Sequence, residues 1–329
     1  MGFATTILRS QFFVKPPVPS SDFSGQTVVV TGATSGLGYE AAKHILRLGA
    51  SKLILAVRNV SKGNKVAEEI SSALSLPLSN IEVWELDLSS FSSVKQFGER
   101  ISTLDRLDAV VQNAGIMTSK FTLIEGCESQ IAVNVISPAL LGYLVIPKLQ
   151  QSAATTGNRG RLAFVGSDLQ FLAPLKEKST SESLFAALNS EQTADMANRY
   201  GVSKLLLMWV VRDMAQRYPF SDQSNVLITC LTPGLCQSDL VRDEESWIVG
   251  VLRRFMIGLV ARSTEVGSRT LVYGVKPDLG EECHGAFLMD RKVCKDLTGN
   301  TKTPEMEKAK TKFMDELNAR LQEISPGIV

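Results

Sequence analysis

A chain of 329 residues with hydrophobic residues at 44% can bury a full core, and the length fits one large α/β domain better than two small ones. Thirty-five basic against 34 acidic residues leave a net charge of +1 with no basic stripe, which excludes bulk charge as a route to nucleic acid or to an anionic membrane. Two histidines, His44 and His284, leave almost no material for a serine–histidine triad or a histidine metal site. The five cysteines (Cys127, Cys230, Cys236, Cys283, Cys294) form no Cys-x-x-Cys pair and read as reduced, buried thiols of a cytoplasmic protein.

Residues 1–24 lack the uninterrupted apolar stretch of a signal peptide or membrane anchor, and read as an N-terminal arm laid over a single domain at 25–329. From Gln26 onward, short apolar runs at 27–31, 52–57, 81–86, 109–112, 161–166, 226–231 and 286–289 alternate with helical patterns. Runs that are apolar on both faces suit a parallel sheet covered by helices, which predicts a doubly wound α/β fold of about seven strands.

The first run ends in Val28-Val29-Val30-Thr31-Gly32-Ala33-Thr34-Ser35-Gly36-Leu37-Gly38, a strand that stops at a glycine turn and restarts as an amphipathic helix through Leu37, Ala41, Ile45 and Leu48. Gly32 allows the sharp turn, Gly36 lets backbone approach a phosphate, and Gly38 lets the helix pack on the strand. The helix N-terminus offers unpaired N–H groups and a positive dipole end to an anion. Gly32 to Gly38, with Thr34, Ser35 and Leu37, is therefore the candidate pyrophosphate cradle, and His44 reads as a face residue of the helix that follows. The second run ends at Arg58-Asn59 without the acidic residue that would bind the ribose hydroxyls of NAD. Arg58 is instead placed to hold a 2′-phosphate, which favours NADP(H) over NAD(H).

The third run closes at Asp87-Leu88, the fourth at Asn113-Ala114-Gly115, the fifth at Ser167 and the sixth at Pro233-Gly234. Tyr200 and Lys204 lie four apart in a helical stretch at 196–217, so both side chains share one face. A free tyrosine, with a pKa of about 10, is a poor acid–base catalyst near neutrality. A neighbouring ammonium and a positive nicotinamide ring both favour phenolate and pull that value down.

In this order, over roughly residues 25 to 290, the landmarks resemble the short-chain dehydrogenase/reductase family, whose glycine motif has the same Thr-Gly-x-x-x-Gly-x-Gly spacing. Thr-Gly-Ala-Thr-Ser-Gly-Leu-Gly with Ala-Val-Arg-Asn looks like its retinol-dehydrogenase-like branch, and the N-terminal arm is similar to fungal reductases of secondary metabolism. The resemblance implies a Rossmann-like sheet of order 3-2-1-4-5-6-7. It implies that Tyr200 exchanges a proton with the substrate oxygen, Lys204 also holds the cofactor ribose, Ser167 hydrogen-bonds the substrate carbonyl, and Asn134 holds a water in a proton relay. Asp87 would contact adenine with Leu88 beside it, Asn113, Ala114 and Gly115 would wall the same pocket, and Pro233, Gly234 and the Ser238 hydroxyl would meet the nicotinamide. Helix-internal bonding for Asn134 and a plain capping role for Ser238 stay open.

Three departures stand against the family pattern. Ser35 occupies a place where many NADP enzymes carry a basic residue, Gln112 replaces a frequent asparagine, and Ser167 precedes Tyr200 by 33 positions, roughly twenty residues more than usual. The surplus, 168–195, reads as an insertion at the mouth of the active site. A segment at 240–262 reads as a substrate lid, with Ile248, Val251, Leu252, Phe255 and Leu259 at helical spacing. A core helix or a membrane-surface helix are its alternatives, but it is too short and too arginine-interrupted to span a bilayer. With Phe171, Leu172, Leu175, Leu184 and Phe185 from the insertion, it favours a bulky apolar ketone or alcohol as substrate. The helix at 303–324 reads as a surface brace or a homo-oligomer contact. The leading expectation is an NADP(H)-dependent oxidoreductase. A nucleotide-binding regulatory protein would have lost Tyr200 or Lys204, and neither is lost; a non-redox cyclisation or dehydration on the same scaffold is not separated by sequence.

Overall fold

The structure, a computed structural model, describes residues 3–221, 225–237, 240, 260–294 and 302–329. Seven strands pair in parallel: β1 (Thr27–Thr31), β2 (Lys52–Val57), β3 (Ile81–Glu85), β4 (Ala109–Gln112), β5 (Gly160–Val165), β6 (Val226–Leu231) and β7 (Phe287–Met289). Their order is β3-β2-β1-β4-β5-β6-β7, as the sequence leads one to expect. Every residue of β1, β4, β5 and β6 is buried, which a sheet covered on both faces requires. The sheet has eight strands rather than seven, because β8 (Lys292–Val293) returns antiparallel along β7. The two turn residues, Asp290 and Arg291, both have positive φ, 49° and 65°. Such a turn usually advertises itself with Asn or Gly, and here it does not.

Helices α1 (Phe3–Phe13), α2 (Gly36–Arg47), α3 (Val60–Leu74), α4 (Phe91–Ser102), α5 (Ser129–Thr156), α6 (Leu184–Leu188), α7 (Met196–Arg217), α8 (Thr264–Gly274) and α9 (Pro304–Ile324) surround the sheet. On one face α2, α3 and α8 bury Ile45, Val66 and Leu271 against the strands. On the other, α4, α5, α7 and α9 bury Phe97, Leu140, Leu206 and Phe313. By length and composition α5 could cross a membrane, but 94% of its apolar window is buried inside the fold. Near its start, Ala132–Ile136 widens into a π turn, a local insertion that often marks a functional site.

Three expectations change. His44 is buried, not displayed on a helix face, because α8 packs on α2; the ring lies 2.6 Å from an Arg47 nitrogen and 3.1 Å from a Glu265 oxygen. Phe171, Leu175 and Leu184 of the 168–195 segment are buried in the core, and of the five apolar residues assigned to a substrate surface only Leu172 is exposed. The apolar face of α9 (Met306, Phe313, Leu317, Leu321) is likewise buried within the chain, where Phe313 stacks on Phe185 at 5.5 Å and meets Trp209 at 6.0 Å. It braces the 168–195 segment rather than facing a partner. Of the expected lid at 240–262, residues 241–259 lie outside the described residues, and so does Ser238.

Candidate active site

The strand order reverses between β1 and β4, and in an open α/β sheet the crevice beyond the carboxyl ends of such neighbours is where ligands bind. Thr31 ties the two ends together. Its hydroxyl accepts the backbone N–H of Asn113 at 3.0 Å and of Ala114 at 2.9 Å, while the Asn113 amide donates to the Thr31 carbonyl at 3.0 Å. Thr31 belongs to the site's scaffold, and the threonine preceding Gly32 was its signal.

Each glycine of the first turn has a distinct geometric reason. Gly32 has φ +66°, and a Cβ there would lie 3.0 Å from the Ala114 backbone. A Cβ on Gly38 would lie 2.5 Å from the Gly32 carbonyl oxygen, so α2 sits that close only because the position is glycine. Gly36 has φ +59°, and a Cβ on it would meet no described residue within 4 Å. Among the described residues, open space therefore stands over Gly36, at the N-terminus of a helix whose N-cap, Ser35, makes no side-chain cap bond. Uncapped N–H groups facing open space fit the phosphates of a dinucleotide. Thr34 and Ser35 are half-buried at this rim, whereas the Leu37 side chain turns toward Gly267 of α8.

Arg58 ends β2 exposed and makes no hydrogen bond or ion pair with another described residue. Asp87 is half-buried beyond β3, one carboxylate oxygen accepting the Ser89 N–H at 2.9 Å and hydroxyl at 2.6 Å. Leu88 is buried in the core, so only its backbone can face the crevice; its carbonyl is taken by the Ser137 hydroxyl at 2.6 Å. Gly115 lies against Asn134, whose Oδ1 would stand 3.0 Å from a Cβ there.

Asn134 sits in the π turn, completely enclosed. Its Oδ1 accepts Ile116 N–H and its amide donates to the Ile116 carbonyl, both at 2.8 Å, with Ser203 Oγ at 3.1 Å. The partners belong to the loop after β4 and to α7, not to Asn134's own helix, so this asparagine joins three elements. Lys204 is buried, donating from Nζ to the Val165 carbonyl at 2.8 Å, 5.6 Å from the centre of the Tyr200 ring. Burial pushes its ammonium down to about 8. Tyr200 and Ser167 lie near enough for the serine hydroxyl to act on the phenol, so the long 168–195 segment loops out without separating them.

The Tyr200 phenol is not lowered as the sequence leads one to expect. Burial drives it up, the nearby Ser167 hydroxyl opposes this, and the Asp168 carboxylate adds to the rise. Asp168 was not foreseen. Burial pushes its carboxyl up to about 6, against a Thr232 hydrogen bond and the charge of Arg262, with Asp290 reinforcing the rise. Nothing in the sequence marked it, since it lay in what read as an insertion.

Pro233 and Gly234 follow β6, Gly234 at φ +75°. The Pro233 carbonyl accepts Arg262 Nη1 at 3.0 Å, and Arg262 Nη2 also reaches the Val14 carbonyl and Asp290, each at 3.0 Å. Gln11 of α1 donates to the Leu235 and Val260 carbonyls at 3.0 and 2.8 Å. The N-terminal segment thus holds the backbone that follows β6.

The family model "short chain dehydrogenase" matches residues 26–177. The chain is 38% identical over 332 residues to the short chain dehydrogenase/reductase dmxR8 of Cryptosporiopsis sp., covering 100% of this chain and 99% of that protein. It is 38% identical over 329 residues to the short-chain dehydrogenase anuD of Penicillium roqueforti, covering 99% and 85%. Among solved structures, a short chain dehydrogenase from Pseudomonas syringae superposes with a TM-score of 0.61 at 20% identity, covering 83% of this chain and 97% of that one. One from Shigella flexneri, complexed with NADP, gives 0.58 at 19% identity, covering 83% and 100%. Likeness at that identity speaks for the fold, while the end-to-end relatives, the glycine turn and the helix bearing Tyr200 and Lys204 speak for the lineage. The chain belongs to the short-chain dehydrogenase/reductase family and is an oxidoreductase.

Proposed function

We propose that the protein is an NADP(H)-dependent ketone reductase of the cytoplasm, acting on a bulky apolar carbonyl compound of fungal secondary metabolism. The observation that carries the chemistry is Tyr200 beside Ser167 and buried Lys204, at the carboxyl end of β5 and two strands from the glycine turn. When bound, the cofactor supplies or accepts the hydride at nicotinamide C4. Ser167 holds the substrate carbonyl oxygen, and Tyr200 gives that oxygen its proton as the carbon gains hydride, so C=O becomes CH–OH and a phenolate remains. A phenol raised by burial resists that loss, and a positive ring beside it would offset the resistance. Lys204, with its ammonium near 8, is poised to return the proton, with Asn134 fixing a water on the route. On this reading Gly32, Thr34, Ser35, Gly36, Leu37 and Gly38 hold the pyrophosphate, Asp87, Leu88, Asn113, Ala114 and Gly115 the adenine side, Lys204 the ribose, and Pro233, Gly234 and Ser238 the nicotinamide.

Arg58 supports NADP(H) over NAD(H), being an exposed guanidinium without a partner among the described residues where an acid would otherwise sit. A charge-assisted bidentate contact contributes about 1.5–3 kcal/mol, so Arg58→Ala weakens NADPH roughly tenfold or more and leaves NADH nearly unchanged. Equal losses for both, measured by titration, would remove Arg58 from the phosphate site. The reaction itself is tested by mixing the protein with NADPH and a panel of apolar ketones, following absorbance at the reduced nicotinamide band and product mass. Products heavier by two hydrogens are expected; loss of water with no NADPH consumed would mean dehydration instead. Tyr200→Phe binds NADPH normally and loses at least about a hundredfold in turnover, the scale of general acid help.

A further inference from the structure

Thirty-three positions separate Ser167 from Tyr200, yet their side chains stay close to one another. Something must fix the start of α7 against the segment that precedes it. Arg199, immediately before Tyr200, is among the most deeply buried large side chains, 1% exposed. Its Nη1 lies 3.1 Å from Glu177 Oε1 and its Nε 3.8 Å from Glu128 Oε2. None of its three guanidinium nitrogens has a well-formed hydrogen bond to a described residue. Its placement therefore rests on the two carboxylates.

Those acids belong to the two other segments that build the site. Glu128 caps α5, accepting Gln130 N–H at 3.0 Å and Ile131 N–H at 3.2 Å, one turn before Asn134. Glu177 stands in the 168–195 segment, within a short helical turn at Lys176–Ser179. Asn189, farther along that segment, bonds the same corner, accepting the Glu128 N–H at 2.7 Å and donating to the Gly126 carbonyl at 3.1 Å. One buried cation thus joins α5, α7 and the looped-out segment. A buried ion cluster contributes little net stability compared with apolar packing of the same volume, but it defines a single arrangement of the elements that carry it.

We propose that Arg199 is a positioning residue: clamped between Glu128 and Glu177, it sets the first turn of α7 so that Tyr200 meets Ser167 despite the length of chain between them. This rests on the reading of Tyr200 as proton donor. The test compares the native protein with Arg199→Met, Arg199→Lys, Glu177→Gln and Tyr200→Phe. Each is assayed for steady-state reduction of a bulky apolar ketone, NADPH binding by titration, and thermal unfolding. In Arg199→Met and Glu177→Gln, kcat falls about tenfold or more, as misplacement of a reacting group predicts, while NADPH affinity stays within about twofold. Arg199→Lys, which keeps the charge and loses the planar fork, lies between them and the native protein. Glu177→Gln preserves shape and decides the matter if Arg199→Met does not fold. Native kcat in folded Arg199→Met or Glu177→Gln overturns the proposal, as does a lowered melting temperature with kcat intact. A Tyr200→Phe protein as active as the native one overturns the proton-donor reading and this proposal with it; an inactive Tyr200→Phe beside fully active Arg199 and Glu177 variants overturns this proposal alone.

Discussion

Gly36 and Gly38 stand two residues apart and tolerate a methyl group differently. A Cβ on Gly38 collides with the Gly32 carbonyl, which is backbone and cannot step aside, so Gly38→Ala should pry α2 from β1 and lower both the melting temperature and cofactor binding. A Cβ on Gly36 meets no described residue within 4 Å, and its cost among those residues is that of a left-handed φ, about 1 kcal/mol. Gly36→Ala is therefore expected to fold and to lose NADPH affinity selectively; equal behaviour of the two variants in binding and unfolding would mean that the space over Gly36 holds no phosphate. Asp168 offers a pH test. Its carboxyl has been pushed from 3.8 to about 6, so across that window the folded chain holds a proton the unfolded chain has released, and stability falls as pH rises through it. Asp168→Asn removes the buried charge, and it should raise the melting temperature more near pH 7.5 than near pH 5. Lys204 runs the opposite way. Lowered from 10.5 to about 8 by burial, it makes stability rise between those values as the buried ammonium loses its proton. Tyr200, Lys204 and the glycines were legible because their spacing carries the chemistry. Arg199 and Asp168 were not, since their roles depend on acids and bases brought near by distant segments.

Among the elements, periodicity located all seven parallel strands, because burial on both faces leaves a continuous apolar signature. The same rule gave no account of β8, which is two residues long and follows a turn without glycine. It also mistook the 168–195 segment for a pocket wall: Leu175 and Leu184 are as apolar as any substrate surface, and only the position of α9 shows that they face the core. That helix holds the segment at several points. Glu316 accepts the Ser183 hydroxyl and the Leu184 N–H at 2.8 Å and the Phe185 N–H at 2.9 Å, capping α6, while Phe313 packs between Phe185 and Trp209. Phe313→Ala should cost about 3–5 kcal/mol, the usual range for a buried phenylalanine. Limited proteolysis should then cut within 168–195 well before the rest of the chain; uniform cleavage would show that α9 does not brace the segment.

For the whole molecule, a dinucleotide spanning the crevice between β1 and β4 touches both halves of the sheet, so binding stabilises the fold by mass action. NADPH should raise the melting temperature more than NADH at equal concentration, and Arg58→Ala should erase the difference. The long apolar helix α5 has a consequence at another moment in the protein's life. Chains leave the ribosome N-terminus first, and β1 to β4 are complete when Ser129–Thr156 emerges, but β5 and α7, which cover it, are still to be made. Until Arg217 has been added, the growing polypeptide displays a segment that a membrane-insertion apparatus could accept as one of its own. Burial of this helix is therefore complete only once the second half of the sheet has been made.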